Sequence, residues 1–536
     1  MRRLTDFSGT DPQRTAVRIG GEDFSYARFE DDIGRLSHWL VQQGLKTSQR
    51  IGIALQCDYW NWALHLASFR LGLQVFSCRY GEIAAVQRWL QLDMTVSDHA
   101  EPPLADVRHW RRLALEGLLP LSQQWAGSVA LAAVPADELQ CHRLTTTSGT
   151  TGSPKSVLWN HSQTMQRVSQ VSAGLPQGEQ TRLHSLQHIG TTGGFRYPLA
   201  TWQAGGCVLL NGQADGLDAT WTSLSQSTLV SMAPAILRDV AGRWPDVWPD
   251  REGRQVTLGG GRLPRALRDL ALARICSKIS LAYGSTEAGS MATGDASLIE
   301  RHPGAVGFVR DAVKVQIVDA QDRPLPNGQS GVVRVASPYM VHAYMQGAEA
   351  GAGVFKDGWF YPGDEGVLED DGFMAILGRT GDVLNLGGMK LSVADIETSL
   401  DGYAGVKDHC VLVLNMDKED WRVCQYRPQM EYDRPYTRTE VLRTRGAMAL
   451  AKAGGGDDVP LVFRIGDAEP VAGRVEHRTV RLAGADHQLE VGSGLRQGQA
   501  AKAIVGAQLD HQHRGDADDA EIGELMPGVV VAAEHP

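Results

Sequence analysis

Through about residue 290 the chain switches repeatedly between two hydrophobic periods, and few architectures accept that rhythm. Ser25 is placed to cap a helix whose apolar positions Phe29, Ile33, Leu36 and Leu40 recur every three or four residues, and Gly44 closes it. A short apolar run from Arg50 to Leu55 reads as a buried strand. A helical stretch from Tyr59 to Leu71 and a further apolar run around Val75 follow. An amphipathic helix must bury one stripe, and an all-apolar strand must bury both faces. A largely parallel sheet covered by helices satisfies both demands, so the expected class is α/β.

Near residue 305 the pattern changes. Val313 to Val318 alternates, Pro324 to Gly331 is rich in turn residues, and Gly331 to Ala336 reads as another strand. These features predict an antiparallel β module, followed by a glycine-dense passage from Asp357 to Gly388. Beyond about Met416 the periodicity fades. Residues 484–536 are rich in Ala, Gly, Asp and His, which predicts a flexible tail.

Composition narrows the function classes. Of 536 residues 43% are hydrophobic and 21% charged, which excludes wholesale disorder and fibrous structure. A net charge of −10 excludes a global basic field for nucleic acid. Seven scattered cysteines show no metal-ligand spacing, and their number is odd, which argues for a reducing compartment rather than a disulfide framework. No apolar run is long enough for a membrane span, and none follows the two N-terminal arginines as a secretion signal does. The expectation is a soluble, cytoplasmic protein without a nucleic-acid partner.

The strongest local signal is Leu144-Thr-Thr-Thr147-Ser148-Gly149-Thr150-Thr151-Gly152-Ser-Pro154-Lys155. Glycines let backbone N–H groups approach an anion, hydroxyls add donors, and a lysine adds a point charge, as a polyphosphate requires. Pro154 stands where a Walker A loop has its second glycine, so this is not that motif. A flexible linker has similar composition, but the strand-like Val157-Leu-Trp that follows at once favours a phosphate loop.

Further segments lie downstream: Gly259-Gly260-Gly261-Arg-Leu-Pro264, Tyr283-Gly284-Ser-Thr286-Glu287, Gly331-Val-Val-Arg-Val and Asp357-Gly-Trp-Phe-Tyr-Pro-Gly363-Asp364. Gly378-Arg379-Thr-Gly-Asp382, Gly387-Gly388-Met-Lys390 and Asp395-Ile-Glu397 complete the series. Each is weak alone. In this order, across roughly residues 20 to 400, they resemble the adenylate-forming superfamily of acyl- and aryl-CoA synthetases, nonribosomal peptide synthetase adenylation domains and luciferases. The resemblance implies a large AMP-binding domain over 1–381, built of βα subdomains plus a β module. It also implies a small α+β C-terminal domain on a hinge at Asp382, here 382–482 and atypical, with 483–536 as the tail.

The resemblance implies roles as well. The loop Thr147 to Gly152 with Lys155 would hold the β- and γ-phosphates of ATP. Glu287 would bind Mg²⁺, and Thr286 would contact the α-phosphate or the substrate carboxylate. Gly260, Gly261, Tyr283 and Gly284 would flank the adenine, Asp364 would accept both ribose hydroxyls, and Arg379 would add a ribose contact. Gly387 and Gly388 would border the tunnel for the thiol. His188, in Leu186-Gln187-His188-Ile-Gly-Thr-Thr-Gly193-Gly194-Phe195, would sit by the acid. No carboxylate stands in that stretch to anchor an α-ammonium, which disfavours amino acids. Gly193 and Gly194 either leave room in the pocket or serve a tight turn.

The pattern departs from the family at the C-terminal adenylating lysine. The nearest text, Glu469-Pro470-Val-Ala-Gly473-Arg474, carries Arg474 there, and its planar fork directs hydrogen bonds differently from an ammonium. Milder departures are Asn385 where lysine is common, and Ala343 where glycine usually precedes the tyrosine. The expected activity is that of an AMP-forming acid–thiol ligase, acting on a non-amino acyl or aryl acid with ATP, Mg²⁺ and CoA or a separate phosphopantetheinyl carrier protein. The alternatives are a non-catalytic nucleotide- or acyl-adenylate-binding protein, and an enzyme of the thioester half-reaction alone.

Overall fold

Ser25 does cap the first helix: its hydroxyl accepts from the Arg28 amide at 3.2 Å, and the helix runs Tyr26–Gln42. Gly44 follows with a φ of +79°. Phe29, Ile33, Leu36 and Leu40 are fully buried, each worth about 1.5–3 kcal/mol in burial. The computed structural model describes residues 10–19, 21–100, 110–113, 140–147, 155–175, 177–211, 217–244, 246–347 and 351–380. Past 380 it describes strands only, namely 383–386, 389–392, 409–414, 441–444, 447–450, 461–465, 478–481, 488–491 and 528–533. The chain divides into two units, Met1–Ile376 and Leu377–Pro536.

The first unit holds two large sheets. One has six strands in the order Trp110–Arg112, Met94–Ser97, Arg50–Ala54, Gln74–Ser77, β1 (Cys141–Thr147) and β2 (Lys155–Asn160). All neighbours are parallel except the last pair, a hairpin in which Thr147 faces Lys155. β2 leads directly into helix α1 (His161–Gly174), whose first turn is capped by Asn160 in a capping box with Gln163.

The second sheet has Glu22–Ser25 at one edge, antiparallel to Thr15–Ile19, and then a parallel run from Thr15–Ile19 through Cys207–Leu210, Arg182–Ser185, Leu229–Met232, β3 (Gln255–Gly259) and β4 (Lys278–Ser285). After strand Arg182–Ser185 the chain crosses through helix α2 (Thr192–Gln203) to the strand on one side. It later returns to Leu229–Met232 on the other. Such a reversal opens a crevice at the carboxyl ends of the strands, where ligands bind in sheets of this type. The segments after Ser185, Gly259 and Ser285 all start from that edge.

Beyond β4 the pairing turns antiparallel earlier than the sequence pattern suggests, at Gly289–Asp295, and continues through the β module without a break in the sheet. Gly289–Asp295 is short and small-residue-rich, so it carries no alternation to announce itself. The parallel and antiparallel halves therefore share one sheet. A buried aromatic cluster joins the N-terminal helices to α2, with Trp62 stacked on Phe195 at 5.6 Å and edge-on to Trp202 at 4.9 Å.

Past residue 380 the described residues are all strands. Three are hairpins, and His409–Leu414, Gly528–Ala533 and Leu461–Ile465 form one three-stranded sheet. The stretch expected to be a tail thus includes the paired strands Gln488–Val491 and Gly528–Ala533. No helix among the described residues is long and apolar enough to cross a membrane.

Candidate active site

The segment Tyr283–Glu287 is the spine of the site. β4 pairs with β3 in a register that sets Ala282 beside Gly259, so Gly260 and Gly261 leave the sheet next to Tyr283. At Gly284 the ladder with Gly289–Asp295 shifts register, and an added Cβ would lie 2.2 Å from the Gly289 carbonyl oxygen. Only glycine fits there, which lets the chain turn outward to Glu287. The Tyr283 hydroxyl donates to Asp364 Oδ2 at 2.5 Å. Asp364 is buried and begins strand Asp364–Leu368.

Four residues after Tyr283, Glu287 Oε1 accepts from the Tyr344 hydroxyl at 2.7 Å. Glu287 is only 7% exposed. Burial, and then the charge of Glu287, push the Tyr344 phenol well above its usual range, so it stays a donor. The Lys155 ammonium lies 5.0 Å from the centroid of the same tyrosine ring, within cation–π range. The structure thus brings Lys155 and Glu287 together at one end of the spine, and Tyr283 and Asp364 together at the other.

Two residues in this arrangement were not singled out from the sequence. Tyr344 follows Ala343, one of the noted departures, but nothing in a linear pattern says that it joins Lys155 to Glu287. The other is Arg167, 1% exposed on α1. Its guanidinium donates to the carbonyls of Thr286 (2.9 Å), Glu287 (2.7 Å) and Tyr339 (2.8 and 3.0 Å). It lies over the Trp159 ring. A charge among the buried positions Thr164, Met165, Val168 and Val171 was the signal available. An arginine on the core face of a helix needs several acceptors, and here they are the backbone of the spine itself.

The loop after strand Arg182–Ser185 carries His188. Its Nδ1 accepts from the Gly190 amide at 3.0 Å, which leaves the proton on Nε2. Arg143 Nη2 donates to the carbonyls of Ile189, Gly190 and Thr191, and the Thr145 hydroxyl donates to Gly190, so β1 holds this loop against the sheet. Gly194 lies where an added Cβ would be 2.1 Å from the His188 carbonyl oxygen, and at Gly193 it would strike the Gln187 side chain. Of the two uses considered for these glycines, the geometry serves close packing of the first turn of α2.

Burial, and then the neighbouring Arg79, push the His188 imidazole down to about 4. Its folded value lies below its unfolded one, so between about pH 4 and 6.5 the unfolded chain binds the extra proton and stability rises with pH, levelling above that window. His188→Gln is expected to remove about one proton from the slope of unfolding free energy in that range, worth about 3 kcal/mol across it. Urea midpoints at pH 5 and pH 8 measure this. An unchanged slope would refute the assignment, because the other buried histidines contribute equally to both proteins.

Thr147 and Lys155 close the hairpin around 148–154, so Ser148, Gly149, Thr150, Thr151 and Gly152 lie outside the described residues. So do Asp382, Gly387, Gly388 and Arg474. Thr286 is half-buried, and Arg379 ends strand Phe373–Arg379.

The AMP-binding enzyme family matches this chain over residues 83–345. A feruloyl-CoA synthase from Amycolatopsis sp is 27% identical over 429 residues, covering 75% of this chain and 82% of that protein. Over residues 83–345 the chain carries the AMP-binding domain of the adenylate-forming superfamily. Another relative, 2-succinylbenzoate–CoA ligase from Geobacillus kaustophilus, is 26% identical over 77% of this chain and 84% of its own length. Among solved structures, ATP-bound MatB from Rhodopseudomonas palustris superposes with a TM-score of 0.67 at 22% identity. It covers 77% of this chain and 86% of its own. The matched family span includes the segment Tyr283–Glu287 and Tyr344.

Proposed function

We propose that this chain is an AMP-forming acid–thiol ligase for a non-amino acyl or aryl carboxylic acid, with CoA or a separate carrier protein as acceptor. The observation that carries this reading is the single spine with a lysine and a carboxylate at one end and a tyrosine–aspartate pair at the other. A nucleoside triphosphate spans such a site, with its ribose toward Asp364, its adenine along Gly260, Gly261 and Tyr283, and its phosphates toward Lys155 and Thr286. The substrate carboxylate attacks the α-phosphorus and pyrophosphate leaves. The thiolate then attacks the acyl carbon and AMP leaves. The first step is needed because a carboxylate is a poor electrophile and its mixed anhydride with AMP is a good one.

Glu287 fits a Mg²⁺ ion. Tyr344 occupies one carboxylate oxygen, and the other takes no hydrogen bond from the described residues, leaving a hard donor on the phosphate side. Bound Mg²⁺ would neutralise phosphate charge. Lys155 contributes fixed positive charge where pyrophosphate leaves, and Tyr344 holds both groups in register. His188, neutral at pH 7, brings no charge to the acid, and the loop around it has no carboxylate for an α-ammonium. Acids of the kind named in the relatives support the acyl or aryl assignment.

The test is pyrophosphate release by the purified protein across a panel of acids. Lys155→Ala is expected to lower it about a hundredfold. No acid-dependent release from the folded protein would refute the reading. Arg474 supports a second reading, in which the chain binds nucleotide or acyl-adenylate, or performs only thioester formation. On that reading Arg474→Lys raises pyrophosphate release at least about tenfold, and no gain with an already active wild type rules it out.

A further inference from the structure

Behind the spine, between β2, α1 and α2, lies a small cavity that the proposed chemistry does not use. Three arginines line it: Arg143 from β1, Arg167 from α1 and Arg196 from α2. No acidic residue lines it. Arg143 and Arg167 are satisfied by carbonyls, and Arg143 also covers the Phe195 ring at 3.6 Å. Arg196 is not satisfied: its Nε and Nη1 are buried without a hydrogen-bond partner among the described residues. Two other lining residues share the defect. The indole Nε1 of Trp159, 3% exposed, and the hydroxyl of Thr192 are also buried and unpartnered.

The chemistry of these orphans is one-sided. Two guanidinium N–H groups and an indole N–H can only donate, and the threonine hydroxyl can donate as well. A water molecule must place two protons of its own, so a donor-rich wall suits it poorly, whereas an anion accepts from every group at once. The charges agree. Arg167 is held well below the usual arginine range by burial, and then by the nearby charges of Arg196 and Arg143. Neutralising that cluster is worth more inside the protein than at its surface. The cavity is small and enclosed by seven side chains. An anion seated there must therefore be compact.

We propose that this cavity binds a carboxylate group, held by Arg196, Trp159 Nε1 and Thr192. Two sources share that chemistry. One is the far carboxylate of a dicarboxylic acid, which rests on the ligase reading above, and the other is a free small carboxylate such as formate. Arg167 lines the cavity and also grips the carbonyls of Thr286 and Glu287, so an occupied cavity steadies the spine in either case.

Thermal unfolding of the full chain with sodium formate, at ionic strength balanced by sodium sulfate, tests the site without requiring turnover. The wild type is expected to show a saturable rise in Tm, with half-saturation at least about tenfold weaker in Arg196→Met. Without formate, Arg196→Met is expected to be no less stable than the wild type, because it removes a cation whose Nε and Nη1 are buried without a hydrogen-bond partner. If that variant fails to fold, Thr192→Val gives the same comparison. A rise that is absent, or identical in both proteins, overturns the proposal.

The source is decided by pyrophosphate release with mono- and dicarboxylic acids of equal length. A lower KM for the diacids that Arg196→Met abolishes assigns the site to the substrate. Equal KM values with formate binding intact assign it to a free anion. Loss of all turnover with formate binding retained rejects the ligase reading and leaves the cavity standing.

Discussion

Glu287→Gln is expected to release pyrophosphate about a hundredfold to a thousandfold more slowly than the wild type, the usual cost of removing one electrostatic partner of a developing charge. The substitution is nearly isosteric, and the amide oxygen can still accept from Tyr344, now 2.7 Å away. The fold and the tyrosine bridge to Lys155 therefore survive, and what changes is the charge. Because a neutral amide is a poorer ligand for a hard cation, half-saturation by Mg²⁺ should also move to higher concentration. The measurement is initial pyrophosphate release over a Mg²⁺ titration at saturating ATP. A variant with wild-type rate and wild-type Mg²⁺ dependence would remove Glu287 from the site.

The second large effect is expected at a residue that touches no substrate. Arg167→Met should lower unfolding free energy by about 3 kcal/mol and pyrophosphate release by about a hundredfold. Two terms compete. Removing a buried cation recovers its desolvation cost, whereas the carbonyls of Thr286 and Tyr339 lose their donor inside the protein and that of Glu287 keeps only the Val341 amide at 3.0 Å. Each orphaned carbonyl costs about 1–3 kcal/mol, and the two together, with the weakened third, outweigh the recovery. Methionine keeps most of the packing against Trp159, so the loss reports the hydrogen bonds. The rate falls because the carbonyls freed are those of the spine, and small displacements of reacting groups are expensive. Urea midpoints and single-turnover release check the two halves. Stability lost with the rate unchanged would make Arg167 a purely structural residue.

Much of this site could be read from the chain itself. Helix Tyr26–Gln42, its Ser25 cap and the strands Arg50–Ala54 and Gln74–Ser77 fall where apolar spacing puts them. Local periodicity reports which face of an element is buried, and that decides most of an α/β layer. Tyr283, Glu287, Asp364 and Lys155 were visible because glycine and hydroxyl signatures surround them. Arg167 and Tyr344 lack such flags. One resembles any helix charge and the other any aromatic, and their roles arise from partners more than a hundred and about sixty residues away in sequence. The change to antiparallel pairing was legible only in the β module, because Gly289–Asp295 has no alternating pattern of its own.

The chain's own letters determined the layered architecture, the order of the glycine-marked segments and the residue types offered to a nucleotide, since these depend on short-range spacing. Tertiary structure alone decided that Tyr344 would join Lys155 to Glu287 and that Arg167 would grip the spine from behind. It alone gathered three arginines around a cavity without an acid. Those outcomes turn on where buried donors find acceptors, and burial is settled only when distant segments pack together.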